Sequence, residues 1–356
     1  MDSLRASANY GVAANMDTFA KLEATERRPF FEETASRRSS TATAMEKDFW
    51  VSWTLQHLFL LKDIPDLRFK GGTSLSKVFR LIDRFSEDID ISIDRAALGF
   101  SGERDLASPK LSTTKRKALD QELREAITKE VQSNILPKLH ARFERVLGKQ
   151  TWTLAPSEEA NEEMTLNFHY PPAFNYKDYL RPQIKIEFGR GDQQPSEKAS
   201  VASFVAEEFP KEFTGKPAAV IVLDCQRTFW EKVTLLHAEN HRPDPSRLKP
   251  RMSRHWSDVA VMSVSDRFVT EKLSLDLLRT VIRFKQIYFA ANWAKYENAV
   301  PGTIRIAPNE QLRKVLRDDY AQMKEMLPVD ALTFDQILEK LDALEIRLNA
   351  LAAIAR

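Results

Sequence analysis

The sequence predicts an α/β (α+β) fold, with strands confined to the N-terminal half and an all-helical C-terminal half beginning near Asp224. Three observations carry that expectation. Phe69-Lys70-Gly71-Gly72-Thr73-Ser74-Leu75-Ser76-Lys77, followed by Arg84-Phe85-Ser86-Glu87-Asp88-Ile89-Asp90-Ile91, reads as a strand, a two-glycine turn, a short helix and a second strand. Residues 164–168 and 183–188 alternate apolar and polar side chains as half-buried strands do. From Gln226 onward the apolar spacing is helical to the end. The expected divisions are a partly helical extension over 1–44, a core domain over 45–224 and a helical domain over 225–356.

Taken in order, residues 1–16 are small and polar and read as loose, and residues 17–38 as a helix broken near Pro29. Ser39-Ser40-Thr41 is a stop-and-cap signal before a strongly apolar helix over 45–61, whose first turn holds Glu46 and Asp48 where the helix dipole favours acids. Residues 97–110 read as a loop, and 114–148 as a long amphipathic helix broken near Pro137. A glycine- and charge-rich loop over 189–200 precedes the apolar strand 218–223. Helical segments follow over 226–240, 253–264, 270–293, 309–326 and 334–355.

With 356 residues, 43% of them apolar, the chain can bury a large core. No apolar run approaches membrane-spanning length and the first residues lack the apolar core of a signal peptide, so a cytoplasmic protein without a membrane partner is expected. The single cysteine, Cys225, cannot form an internal disulfide. A net charge of +2 does not announce a nucleic-acid binder. Residues 112–149 nevertheless carry nine Lys/Arg against five Asp/Glu, and 227–254 seven against three, either solvated faces or a track for an RNA backbone.

Asp88 and Asp90 form the only Asp-x-Asp of the sequence. Two apart on a strand, they leave one face of the sheet while Ile89, Ile91 and Ile93 leave the other. Gly71 and Gly72 let backbone N–H groups approach a phosphate, and the helix start after them favours an anion. A phosphate cradle beside paired carboxylates that can hold Mg²⁺ is equipment for nucleotide transfer. Glu187 offers a third carboxylate from a separate strand; the alternative is an edge glutamate paired with Lys185 or Arg190. Lys232 suits charge compensation at phosphates, or is an ordinary surface lysine. His237 and His241 have the spacing of a zinc pair, but no third ligand is evident. Ser253 is a natural N-cap for a helix carrying Asp258, which read alone is structural.

These motifs, with Thr228-Phe229-Trp230-Glu231-Lys232 and Ser253-Arg254-His255-Trp256-Ser257-Asp258, resemble the AbiEii/AbiGii family of nucleotidyltransferase-like toxins from bacterial toxin–antitoxin and phage-defence systems. Glu46-Lys47-Asp48-Phe49-Trp50 and Pro301-Gly302-Thr303 also look like the family, so the resemblance spans roughly residues 40–350. It implies a polymerase-β-like nucleotidyltransferase core with a mixed β-sheet and an attached helical domain. By position, Asp88 and Asp90 match the metal-binding pair for Mg²⁺ or Mn²⁺, with Glu187 or Asp258 as third carboxylate. Lys232 matches the lysine that holds NTP phosphates, and Asp258 the late catalytic aspartate. Gly71, Gly72, Thr73 and Ser86 match the nucleotide cradle; Ser74, Lys77 and Arg84, from the same motifs, complete the expected NTP-binding set.

Members resembling this chain transfer NMP from an NTP to the tRNA 3′ end and are restrained by an antitoxin encoded nearby. The expected mechanism places the triphosphate on Asp88 and Asp90 through Mg²⁺, with Asp258 or Glu187 helping to deprotonate the acceptor. Two rivals share the fold: an AMP- or UMP-transferase acting on protein hydroxyls, and a non-catalytic RNA- or partner-binding module.

Overall fold

A computed structural model of the chain describes residues 15–353 except 85, 87, 161, 177–180, 324–326 and 329. Most of the N-terminal stretch read as loose, and Phe85 and Glu87 of the central motif, lie outside the described residues. Two compact units form: one from residues up to 78 with 85–104 and 117–222, the other from 79–84, 105–116 and 223 onward.

The first unit begins with α1 (Met16–Ala20), α2 (Ala24–Arg37) and α3 (Ala42–Phe59), then β1 (Leu67–Lys70), α4 (Gly71–Lys77) and β2 (Ile89–Ile93). It continues with α5 (Thr113–Glu130), α6 (Leu136–Leu147), β3 (Thr153–Pro156), β4 (Thr165–His169), β5 (Gln183–Gly189), β6 (Ser196–Val201), α7 (Phe204–Glu208) and β7 (Ala218–Leu223). The strands make one mixed sheet in the order β3-β4-β5-β2-β1-β7-β6, with β1 antiparallel to β2 and β2 parallel to β5. Its apolar face, including Ile89, Ile91, Ile186, Leu166 and Phe168, is fully buried. Trp50 and Trp53 of α3 and Phe143 of α6 meet the Phe168 ring there, at centroid distances of 5.9, 5.8 and 4.6 Å. Such aromatic pairs add about 0.5–1.5 kcal/mol each beyond their buried area.

Several local expectations change in detail. The break in the first helical segment falls at residues 21–23 rather than at Pro29, because Glu23 and Glu26 form a reciprocal capping box that restarts the helix. The chain does not break near Pro137: it stays helical from 113 to 147, and a π turn, Val131–Ile135, between α5 and α6 accommodates the proline, which has no N–H to give. Thr41 caps α3 as expected, accepting a hydrogen bond from Ala44 N. Glu46 and Asp48 do more than favour the dipole. Both are buried, Glu46 accepting from Ala173 N and Tyr176 Oη, Asp48 from Lys77 and Phe204 N. Strand β6 lies in the segment expected as a loop over 189–200, and β3 adds a strand before β4.

The second unit is helical: α8 (Cys225–Asn240), α9 (Ser253–Met262), α10 (Leu275–Tyr288), α11 (Glu310–Gln322) and α12 (Phe334–Ala350). Helix α8 packs on α9 and α10, and α9 also on α11 and α12, around fully buried Trp230 and Trp256. The Trp256 indole N–H donates to Ile306 O at 3.1 Å. Among the described residues, no helix is long and apolar enough to cross a membrane.

Candidate active site

In the first unit, the turn from β1 into α4 sets the geometry. Gly71 has φ +78°, and a Cβ on it would stand 1.9 Å from Asp90 Oδ2. The residue is thus glycine for a backbone reason and a space reason together: the Asp90 carboxylate occupies the volume a side chain would take. Helix α4 has only seven residues, so its dipole is short. Thr73 is buried, donates from Oγ to the Asp88 carbonyl at 2.5 Å and lies 3.0 Å from Ser86 Oγ. It ties the helix to the Asp88 backbone.

Across the sheet, Lys70 is the Cα partner of Asp90 on β1, Glu187 is its partner on β5, and Thr165 is the partner of Glu187 on β4. Glu187 is therefore an inner-strand residue and not an edge glutamate. Its proposed alternative partners are engaged elsewhere, Lys185 with Glu159 and Glu162 and Arg190 with Asp120. Burial, then the nearby Asp90 and Asp88 charges, push the Glu187 carboxyl up to about 7. A carboxyl crowded by like charges favours a proton or a cation. Among the described residues, no three His, Cys, Asp or Glu side chains stand close enough together to form a finished metal site. The donor set still fits a hard cation: oxygen ligands only, with two of its three carboxylates in register on adjacent strands.

In the second unit, Asp258 is 1% exposed and is held from two sides. Arg84 grips it in bidentate fashion, Nε to Oδ1 at 2.6 Å and Nη2 to Oδ2 at 2.8 Å, and Lys232 Nζ reaches Oδ2 at 2.9 Å. Burial raises the Asp258 carboxyl, but Arg84 and then Lys232 outweigh it and hold the group well below the usual carboxylate range. Burial lowers the Lys232 ammonium from its ordinary value, with Asp258 opposing. Lys232 is thus no surface lysine. Its Nζ also stands 3.2 Å from His255 Nδ1. Asp258 thus stands as the shared partner of Arg84 and Lys232.

Four side chains of the expected nucleotide set have partners within the fold. Thr73 holds the Asp88 carbonyl, Ser74 Oγ donates to Gly71 O at 2.9 Å, Lys77 is buried against Asp48, and Arg84 is committed to Asp258. The backbone of Gly71 and Gly72 and the half-buried Ser86 remain at the turn. His237 and His241 are not a zinc pair: both His237 nitrogens meet backbone, Nε2 at Lys295 O and Nδ1 at Arg305 N, and His241 Nδ1 meets His237 O. Ser253 is the first helical residue of α9, not its cap; Asp319 of α11 does the capping, accepting from Arg251 N at 2.5 Å and Ser253 N at 2.8 Å. Sequence reading missed Lys70, His255 and Asp319. The first two had a signal, since Lys70 precedes the two glycines and His255 lies three residues before Asp258, one helical turn away. Asp319 had none.

Carboxylates in register beside a glycine turn, and a buried lysine–aspartate pair, are the equipment of an enzyme that transfers phosphate-linked groups. The profile of the family described as nucleotidyl transferase AbiEii toxin, type IV toxin–antitoxin system, matches residues 53–340. The chain belongs to this family and is a nucleotidyltransferase toxin of a type IV toxin–antitoxin system. Among solved structures it is similar to MenT4, a nucleotidyltransferase toxin from Mycobacterium tuberculosis H37Rv, at 17% identity over 83% of this chain and 98% of that one. The TM-score is 0.35, too low to carry residue roles across. No curated relative matches the sequence.

Proposed function

We propose that this chain transfers NMP from an NTP to an RNA acceptor, the tRNA 3′ end, with Mg²⁺ or Mn²⁺, in the cytoplasm and under the restraint of a cognate antitoxin. The observation that supports it is the Asp90–Glu187 register, which gathers carboxylates beside the Gly71 turn. Asp88, Asp90 and Glu187 would hold the cation. When bound, it neutralises triphosphate charge and acidifies the attacking hydroxyl. The residues of the chain do the rest. Glu187 takes the proton as the acceptor oxygen bonds the α-phosphorus. The α–β anhydride bond breaks and pyrophosphate leaves, its charge met by Lys232. Asp258 and Arg84 fix Lys232 for that role. The Gly71 and Gly72 amides and Ser86 position the triphosphate, and the basic segments 112–149 and 227–254 take the RNA backbone through their exposed side chains, Arg227 and Lys232 of the second being buried. The divisions 1–44, 45–224 and 225–356 are the working assignment of extension, transferase core and helical domain.

The test is incubation with total tRNA, Mg²⁺ and each α-labelled NTP, with Asp90→Ala alongside. Label on tRNA with the wild-type chain and none with Asp90→Ala is expected. Label on protein would transfer the assignment to a protein AMP- or UMP-transferase. No label, with folded protein and no metal-dependent NTP binding, would leave a non-catalytic module.

A further inference from the structure

Lys232 has two acceptors, and both come from one turn of α9. Asp258 Oδ2 lies 2.9 Å from Nζ and His255 Nδ1 lies 3.2 Å from it. Residues three apart on a helix share a face, so α9 offers a carboxylate and an imidazole side by side to α8. An ammonium carries three hydrogens and no lone pair, so His255 Nδ1 must be the acceptor and the ring proton must sit on Nε2. Burial, then the Lys232 and Arg254 charges, push His255 well below its ordinary pKa, with Asp258 opposing, which agrees with a neutral ring. Arg84, Asp258, Lys232 and His255 then sum to one positive charge: two cations, one carboxylate and a neutral imidazole.

A lysine is a point charge on a flexible stem, with three equivalent donors that rotate freely. Asp258 alone would fix the position of the ammonium but not its rotation. Two acceptors fix both, and a single N–H is left with one defined direction. We propose that His255 is a positioning residue for Lys232: by accepting at Nδ1 it aims the one uncommitted N–H of the ammonium at the polyphosphate. The proposal rests on the reading of Lys232 as a triphosphate ligand, and adds to it a residue whose imidazole touches neither metal nor reacting atoms.

The experiment measures calorimetric binding of inorganic tripolyphosphate, and of each NTP, with Mg²⁺ to the full chain. His255→Ala, His255→Asn, Lys232→Met and the Lys232→Met/His255→Ala double variant accompany the wild type, and thermal melting checks each fold. Loss of one directed, charge-assisted hydrogen bond predicts about tenfold weaker binding in His255→Ala. His255→Asn places an amide oxygen near the position of Nδ1 and is expected to restore binding to within about twofold. In the Lys232→Met background, His255→Ala is expected to change nothing further, because its effect travels through the ammonium. Wild-type binding by His255→Ala overturns the proposal; so does equal weakening in His255→Ala and His255→Asn, or a His255 effect that survives Lys232→Met. A wild-type chain that binds neither tripolyphosphate nor any NTP overturns the nucleotide reading itself and the proposal with it, an outcome separate from the other three.

Discussion

Asp90 Oδ2 occupies space that a Cβ on Gly71 would claim at 1.9 Å. The glycine therefore does more than make the turn. Gly71→Ala must push the Asp90 carboxylate aside and also hold alanine at φ +78°. The backbone strain alone is about 1–2 kcal/mol. Displacing a reacting group by an ångström costs about a hundredfold in rate. Gly71→Ala is expected to melt a few degrees lower and to lose at least that much transfer activity. Transfer at the wild-type rate would show that Asp90 does not need this position.

Asp90 and Asp258 are both assigned to the machinery, yet their amides should differ in stability. Asp90 stands beside Glu187 and Asp88, so Asp90→Asn removes like-charge repulsion and should melt at or above the wild-type temperature. Asp258 neutralises Arg84 and Lys232 in a buried site. Removing one partner of a buried ion pair costs about 3–5 kcal/mol, because charges are left uncompensated. Asp258→Asn should therefore melt much lower, and both should lose transfer. Equal melting temperatures would contradict the buried clamp.

The contrast marks what a sequence displays. Patterns carried by neighbours along the chain were legible: the β1–α4–β2 unit, the alternation of β4 and β5 and the Thr41 cap. Strands β3 and β6 were not, because both are sheet edges with little apolar alternation and β3 ends in a proline. The Asp-x-Asp pair was visible for the same local reason. Arg84 and Asp258 lie 174 residues apart, and nothing in either segment announces the pairing. Arg84 entered the nucleotide set from its motif alone, and Asp258, structural when read alone, took a catalytic role only from the family resemblance. Both side chains are buried against each other, and burial of a charged residue is invisible until its partner is known.

His237 should make the helical unit sensitive to acid. Burial pushes it down from 6.5 to about 4, and its Nδ1 accepts from Arg305 N, so a proton there would face a donor. The unfolded chain binds a proton near pH 6.5 and the folded chain only near pH 4. Stability from the neutral ring is thus fully present above about pH 6.5 and drains away as the pH falls towards 4, up to about 3 kcal/mol in all. His237→Gln keeps a donor for Lys295 O but cannot titrate. Its melting temperature should start lower at pH 7 and fall less steeply than the wild-type value down to pH 4.5. Parallel curves would remove His237 as the sensor.

Asp319 offers a stability test remote from the chemistry. Helix α9 has no side-chain cap of its own, and Met252 at the N-cap position cannot supply one. The Asp319 carboxylate accepts from the backbone N–H groups of Arg251 and Ser253 and from Ser253 Oγ at 2.5 Å. The first of these holds Arg251 at φ +65°, a conformation arginine rarely adopts unaided. Asp319→Ala leaves those donors unpaired and should cost about 1–2 kcal/mol, the loss of an N-cap. Asp319→Asn retains one carbonyl acceptor and should lose about half as much. Because α9 carries both acceptors of Lys232, tripolyphosphate binding should weaken in the same order as stability, Ala more than Asn. If the alanine variant melted with the wild type, the cap would be an accident of packing and α9 would be held in place by its buried face alone.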